Sequence, residues 1–139
     1  MQLSTTTKYA IQTLGFMANN PTTKYSSKYL SDILDIPYKY LSKIMTKLAK
    51  ADLVSSVHGK YGGFFIEKDI KDIRIVDIAA VFEDIDIQQC ILVDTQCNED
   101  KRCIVHDQWQ KPKCAIDDFF INTTLFQLIE KQSLVKIFN

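Results

Sequence analysis

The sequence predicts a mainly α-helical fold that carries one small β-hairpin and ends in a long helix. Three observations predict it. Apolar residues recur at helical spacing in three segments between Thr5 and Ala51. Three of the four glycines fall at Gly59, Gly62 and Gly63, between two short strand-like runs. Helical spacing then returns at residues 73–82 and again from Arg102 onward.

Taken in order, Ala10, Ile11, Leu14 and Met17 make the apolar stripe of a first helix from Thr5 to about Asn19, with Ser4 or Thr5 as its cap. Asn19-Asn20-Pro21 ends it. Ser26-Ser27 caps a short second helix with Tyr29, Leu30 and Ile33 on one face. Asp35-Ile36-Pro37 is a turn, and Pro37 suits the first position of a third helix from Tyr38 to about Ala51. Leu41, Ile44, Met45 and Leu48 form its buried stripe, which leaves Lys39, Lys43, Lys47 and Lys50 outside it as a basic surface. Leu53–Val57 and Gly63–Glu67 read as strands joined by a turn at His58–Gly62. A fourth helix follows at Ile73–Phe82, capped by Asp72.

Glu83 to Lys101 has no sustained period and is rich in Asp, Gln and Cys, so it reads as a loop that needs something to order it. Beyond it come Ile104 and Trp109, then Ile116, Phe119, Phe120 and Thr123 at i, i+3, i+4 and i+7. A chain of 139 residues has limited core to cover those aromatics, so a helix-on-helix dimer seam competes with burial. Pro112 should kink or interrupt this helix. Residues 130–137 read as a short terminal helix.

Three helices followed by a hairpin is the order of a winged helix-turn-helix, whose third helix enters the DNA major groove while the hairpin touches backbone or minor groove. Charge agrees. Residues 1–68 hold nine lysines and no arginine against four acids, a net of +5, whereas residues 69–139 carry a net of −5. A basic half points to a polyanionic partner. The expected interface comprises Tyr38, Lys39, Tyr40, Ser42, Lys43 and Lys47 on the third helix, with His58 and Lys60 on the wing. Lys39 and Lys43 suit phosphates, and Ser42 or a tyrosine hydroxyl could reach bases.

Composition excludes several classes. With 46% hydrophobic and 24% charged residues the chain is globular rather than disordered. No apolar run approaches the roughly 18 residues of a membrane span, and the N-terminus lacks a basic segment followed by an apolar one, so a cytoplasmic protein is expected. There is no C-x-x-C and no nucleotide-binding glycine motif, which argues against an enzyme.

All four cysteines lie between residues 90 and 114, spaced Cys90-x6-Cys97-x5-Cys103-x2-His106. Thiolate and imidazole are favoured ligands for iron and zinc. The wide gaps differ from the tight knuckles of most structural zinc sites and suit a loop around a larger object such as an iron–sulfur cluster. Zinc, a transient disulfide pair such as Cys90–Cys97, and inert thiols remain alternatives. Cys114 reads as a small apolar residue packed on the long helix.

MQLSTTTKYA at the start, IPYKYLSKIMTKLAKADLVSSVHGKYGGFFI across the third helix and wing, IRIVDIAAVFE after it and INTTLFQL in the long helix resemble the Rrf-two family of bacterial winged-helix regulators. The resemblance runs from Met1 to about Leu128. Within that family, three spaced cysteines after the fourth helix mark the cluster-binding branch, and Cys90, Cys97 and Cys103 occupy those places. The set Cys103, His106 and Trp109 looks most like the IscR-like members, in which a histidine completes a [2Fe–2S] ligand set. NsrR-like members instead take a ligand from an acidic residue near the partner's N-terminus, where this chain has Lys8, a protonated cation with no lone pair.

The resemblance therefore implies a homodimeric transcriptional regulator that binds a pseudo-palindromic duplex and senses cluster status through Cys90, Cys97, Cys103 and His106. The alternative is a cluster-free thiol-redox DNA-binding regulator. The expected division is a DNA-binding unit at 1–82, a cysteine-bearing sensor loop at 83–103, and a dimerisation helix with a C-terminal helix at 104–139.

Overall fold

The computed structural model describes residues 3–85, 90–92 and 95–130. Its first helix, α1 (Thr5–Ala18), starts where Ser4 Oγ accepts the Thr7 N–H at 3.2 Å. Ala10, Leu14 and Met17 are fully buried along it. Helix α2 (Ser27–Leu34) is capped by Ser26 Oγ, which accepts from the Tyr29 N–H. Of its expected apolar face, Leu30 alone is buried, while Tyr29 and Ile33 are exposed. A helix of eight residues docked by one edge buries little, here Leu30 and the neighbouring Ser31, whose hydroxyl donates to Ile36 O.

Helix α3 (Tyr38–Lys50) buries Leu41, Ile44, Met45 and Leu48, the expected stripe. Pro37 sits one place before the first helical residue, and its carbonyl accepts the Leu41 N–H. The helix ends in a reciprocal C-terminal lock: Leu53 N–H donates to Leu48 O and Asp52 N–H to Ala49 O, with Asp52 left-handed at φ 60°. That lock delays the first strand. β1 is Ser55–Val57 rather than Leu53–Val57, and Leu53 and Val54 serve the core instead.

β2 (Gly63–Phe65) pairs antiparallel with β1, Ser56 opposite Phe64. Tyr25 adds a third edge by exchanging two backbone hydrogen bonds with Phe64 at 2.7 and 2.8 Å. This close approach explains Gly63: it has φ +146°, and a Cβ there would lie 2.8 Å from the Tyr25 carbonyl oxygen. At Gly62 a Cβ would fall 1.9 Å from Val57 O, inside the turn.

Helix α4 is Ile75–Phe82, so it starts later than expected and is not capped by Asp72. Residues 73–75 are held extended against 123–125: Ile75 N–H donates to Thr123 O and Leu125 N–H to Ile73 O. The helix can begin only beyond that bridge. Asp77 then reaches back to the Arg74 N–H at 2.9 Å and to its guanidinium.

Helix α5 (His106–Asn122) runs through Pro112 without interruption. The carbonyl that Pro112 leaves without a helical donor belongs to Gln108, an exposed residue where water can serve. Thr123 and Thr124 then break the helix, because Thr124 and Gln127 cap one another: Thr124 N–H donates to Gln127 Oε1 and Gln127 N–H to Thr124 Oγ1. Helix α6 (Leu125–Glu130) turns back and buries Leu125 in the main core with α1. The terminal helix expected at 130–137 lies outside the described residues beyond Glu130. No helix among the described residues is long and apolar enough to cross a membrane.

Candidate functional site

Two groups of residues stand apart from the core. The first is the outward face of α3 with the hairpin tip. Burying Leu41, Ile44, Met45 and Leu48 turns Tyr38, Lys39, Tyr40, Lys43 and Lys47 to solvent, with Ser42 half-buried among them. Lysine ammonium groups on an exposed helix face are free to meet phosphates. Lys47 is partly engaged, its Nζ 5.9 Å from the centre of the Phe82 ring.

Tyr40 differs from its neighbours. Its hydroxyl is 3.0 Å from Thr6 Oγ1, and its ring stands edge-on to Tyr9 at 5.6 Å.

At the hairpin, His58, Gly59, Lys60 and Tyr61 are all exposed. Tyr61 is 82% exposed, with Lys60 Nζ 5.6 Å from its ring centre. Between α3 and the hairpin runs a groove lined by Thr46, Lys50, Ser56 and His58. Tyr61, Thr46 and Ser56 were not among the residues expected from sequence. An exposed aromatic inside a glycine-rich turn was the available signal for Tyr61; the groove exists only once helix and hairpin meet.

The second group is the cysteine segment. Cys90 is buried, Cys97 and Cys103 are half-buried, and Cys90 Sγ lies 3.6 Å from Cys103 Sγ. The Cys97 thiol is pushed above its ordinary range by desolvation, then by the neighbouring Cys90, to which it hydrogen-bonds, and by Cys103, while Lys113 opposes the shift. Those three thiols are thus neighbours. Among the described residues, no three or more Cys, His, Asp or Glu side chains converge on a point where they could chelate a single metal ion.

His106 opens α5, its backbone N–H donating to Cys103 O at 3.0 Å. His106 is only 3% exposed, and its Nε2 faces Glu99 Oε1 at 3.5 Å and Gln110 Nε2 at 3.4 Å. Arg102 grips Glu99 at 2.6 Å and Asp107 at 3.3 Å, which fastens the loop to the helix start. One turn along, the Trp109 indole N–H is buried without a hydrogen-bond partner among the described residues. Cys114 is exposed on α5, not packed as a small apolar residue, because the core-facing side of this helix is taken by Ile116 and Phe120.

The chain also presents apolar surface outside the core. Ile104 is 91% exposed and Phe119 47%, and Leu3, Ala115, Ile116, Phe119 and Phe120 line a shallow groove between the N-terminus and α5.

Glu83, at the end of α4, was not singled out by sequence. Its carboxylate accepts the Ser4 N–H at 3.1 Å and the Thr7 hydroxyl, tying the start of the cysteine segment to the first turn of α1. Nothing in a lone Glu between a helix and a loop announces that contact across 76 positions.

Comparison with known proteins gives a consistent picture. The Rrf2 family, described as iron-dependent transcriptional regulators, matches residues 3–131. A protein of Aquifex aeolicus (strain VF5) named as an HTH-type transcriptional regulator is 36% identical over 132 residues, covering 93% of this chain and 92% of the relative. The HTH-type transcriptional regulator IscR of Vibrio vulnificus (strain YJ016) is 33% identical over 141 residues, covering 99% of this chain and 82% of the relative. The structure of CymR, the global cysteine regulator of B. subtilis, superposes with a TM-score of 0.81 at 23% identity, covering 96% of this chain and 99% of that one. The last likeness establishes the winged-helix fold.

Proposed function

Because this chain belongs to the Rrf2 family of transcriptional regulators, we propose that it is a cytoplasmic homodimer that reads a pseudo-palindromic DNA duplex and senses the state of an iron–sulfur cluster. The chain divides by role into a DNA-binding unit at 1–82, a sensor loop at 83–103 and a dimerisation segment at 104–139.

Each subunit lays the exposed face of α3 in a major groove. Lys39, Lys43 and Lys47 neutralise phosphates, while Tyr38 and Ser42 reach toward base edges. His58 and Lys60 bring the wing to backbone or minor groove. Two-fold symmetry then sets half-sites one or more helical turns apart. The dimer forms along α5, where Ile104, Phe119 and the Leu3–Ile116 groove offer apolar surface to a second copy.

Cys90, Cys97, Cys103 and His106 would hold the cluster, for which [2Fe–2S] suits three thiolates and one imidazole. The observation that carries this reading is the Cys90–Cys103 separation of 3.6 Å. Two thiolates about 2.3 Å from one tetrahedral metal would stand about 3.8 Å apart, so the Cys90–Cys103 spacing is compatible with the pair sharing a metal. A two-iron cluster needs two ligands on each iron, which accords with paired donors rather than a single chelating point. Its chemistry, when bound, is that of a one-electron redox centre. Cys97 must give up its proton to serve, against desolvation and the neighbouring Cys90 and Cys103, which together outweigh the opposing Lys113 charge. Glu99 and Gln110 both stand against His106 Nε2, and the unpartnered Trp109 N–H is a spare donor one turn away.

A cluster-free alternative rests on the same 3.6 Å contact, since two thiols that close can form a disulfide. Purification without oxygen, with visible spectrum, iron and sulfide counts, separates the two. Brown protein with both elements, lost in His106→Ala, supports the cluster sensor and its fourth ligand. Colourless protein without iron after reconstitution overturns the cluster and leaves the thiol reading.

A further inference from the structure

Tyr40 lies in the first turn of α3, on the face turned toward DNA, yet both ends of its side chain are held by α1. Its hydroxyl is 3.0 Å from Thr6 Oγ1, and its ring packs edge-on to Tyr9, with centroids 5.6 Å apart and planes at 86°. Tyr9 itself packs against the main core. The side chain is therefore restrained at two points, although 42% of its surface remains exposed. Tyr38, at 51% exposure, carries no such restraint from α1 among the described contacts.

The turn of α1 that holds Tyr40 is itself moored. Ser4 caps it, the buried Thr7 hydroxyl bonds Glu83, and the same carboxylate accepts the Ser4 N–H. Thr6 thus projects from a first turn fastened by residues on both sides of it.

We propose that the Thr6–Tyr40 contact is a positioning contact of the reading head, in which α1 fixes the N-terminal turn of α3 and Tyr40 orients that turn without itself reading a base. This rests on the reading of α3 as the DNA-binding helix. A hydroxyl bonded to Thr6 Oγ1 keeps one further hydrogen-bonding site, but its position is set by α1 rather than by a base edge. In this reading, base readout at this end of α3 falls to Tyr38 and Ser42. Sequence-specific binding depends on how squarely those two are presented, so the loss of a contact between α1 and α3 is felt at bases that neither Thr6 nor Tyr40 touches.

The test is a double-mutant cycle on the full chain, using as probe the duplex that the wild-type protein enriches from a randomised pool. Thr6→Val and Tyr40→Phe should each weaken binding about fivefold, the value of one net hydrogen bond, and the double variant should be no weaker than either single one. Thr6→Ser, which keeps the hydroxyl, should restore wild-type affinity. All variants should keep the wild-type salt slope, because neither hydroxyl meets a phosphate.

Three results would overturn the proposal. A loss in Tyr40→Phe without a loss in Thr6→Val would make the tyrosine hydroxyl a direct base contact. Additive losses would make the two residues independent. Unchanged affinity in both would make the contact idle. Failure of the wild-type chain to enrich any duplex is a different outcome: it would remove the DNA-binding reading and this inference with it.

Discussion

Cys90 Sγ and Cys103 Sγ lie 3.6 Å apart although thirteen positions separate them in the chain. The contact closes the cysteine segment into a loop whose far end is the first turn of α5, where Cys103 O accepts the His106 N–H. Cys97 is drawn to the same pair, and the charge of Lys113 reaches it from α5. The cysteine segment is therefore assembled from a loop and a helix end, and it stands outside the core that holds α1 to α4 together.

That separation sets the first prediction. Cys97→Ala should abolish cluster absorbance while the winged helix stays folded, because Cys97 belongs to neither hydrophobic cluster. Visible spectra after anaerobic reconstitution, together with far-ultraviolet circular dichroism, check it. Retained absorbance would exclude Cys97 as a ligand.

Lys43 projects from the middle of the exposed face of α3. Replacing it with Ala should weaken binding to every duplex and reduce the slope of log affinity against log salt by about 1, as one lost phosphate contact does. Fluorescence anisotropy at several salt concentrations measures the slope. An unchanged slope would remove the phosphate assignment.

The wing depends on Gly63, whose φ of +146° and approach to the Tyr25 carbonyl leave no room for a side chain. Gly63→Ala should destabilise the chain by about 1–3 kcal/mol, the range for a residue forced into a disfavoured backbone region. Urea denaturation reports it as a lower midpoint with an unchanged slope.

Asp77 provides a pH dependence. Burial raises its pKa, but the hydrogen bonds and charge of Arg74 outweigh that and hold it below the ordinary carboxylate value. The unfolded chain then binds this proton more readily than the folded one, so stability increases with pH through this window. The contribution is complete above the ordinary carboxylate range and is lost as pH falls through the depressed folded value. Urea midpoints at pH 7, 5 and 3 should show a smaller acid-induced drop in Asp77→Asn than in wild type. Equal drops would sever the link.

Much of this was legible in the sequence. The stripe of Leu41, Ile44, Met45 and Leu48 specified which side of α3 is buried, and so which lysines face out, because a 3.6-residue period leaves no other side free. Ser4 or Thr5, and Ser26-Ser27, marked the helix starts for a local reason, a short side-chain oxygen reaching an N–H two or three residues on, and the structure selects Ser4 and Ser26. The spacing of cysteines and histidine drew attention to the segment that the fold gathers up.

What only the tertiary structure decided are contacts between distant parts of the chain. The extended pairing of 73–75 with 123–125 pushed the start of α4 to Ile75, and mutual capping by Thr124 and Gln127 cut α5 short and sent α6 back to the core. Glu83 on the first turn of α1, Thr6 on Tyr40, and Cys90 against Cys103 join residues whose separation in sequence carries no periodic signal. Periodicity encodes which face of an element is buried, whereas a polar contact between two elements depends on their relative placement, which is fixed only when the whole core packs.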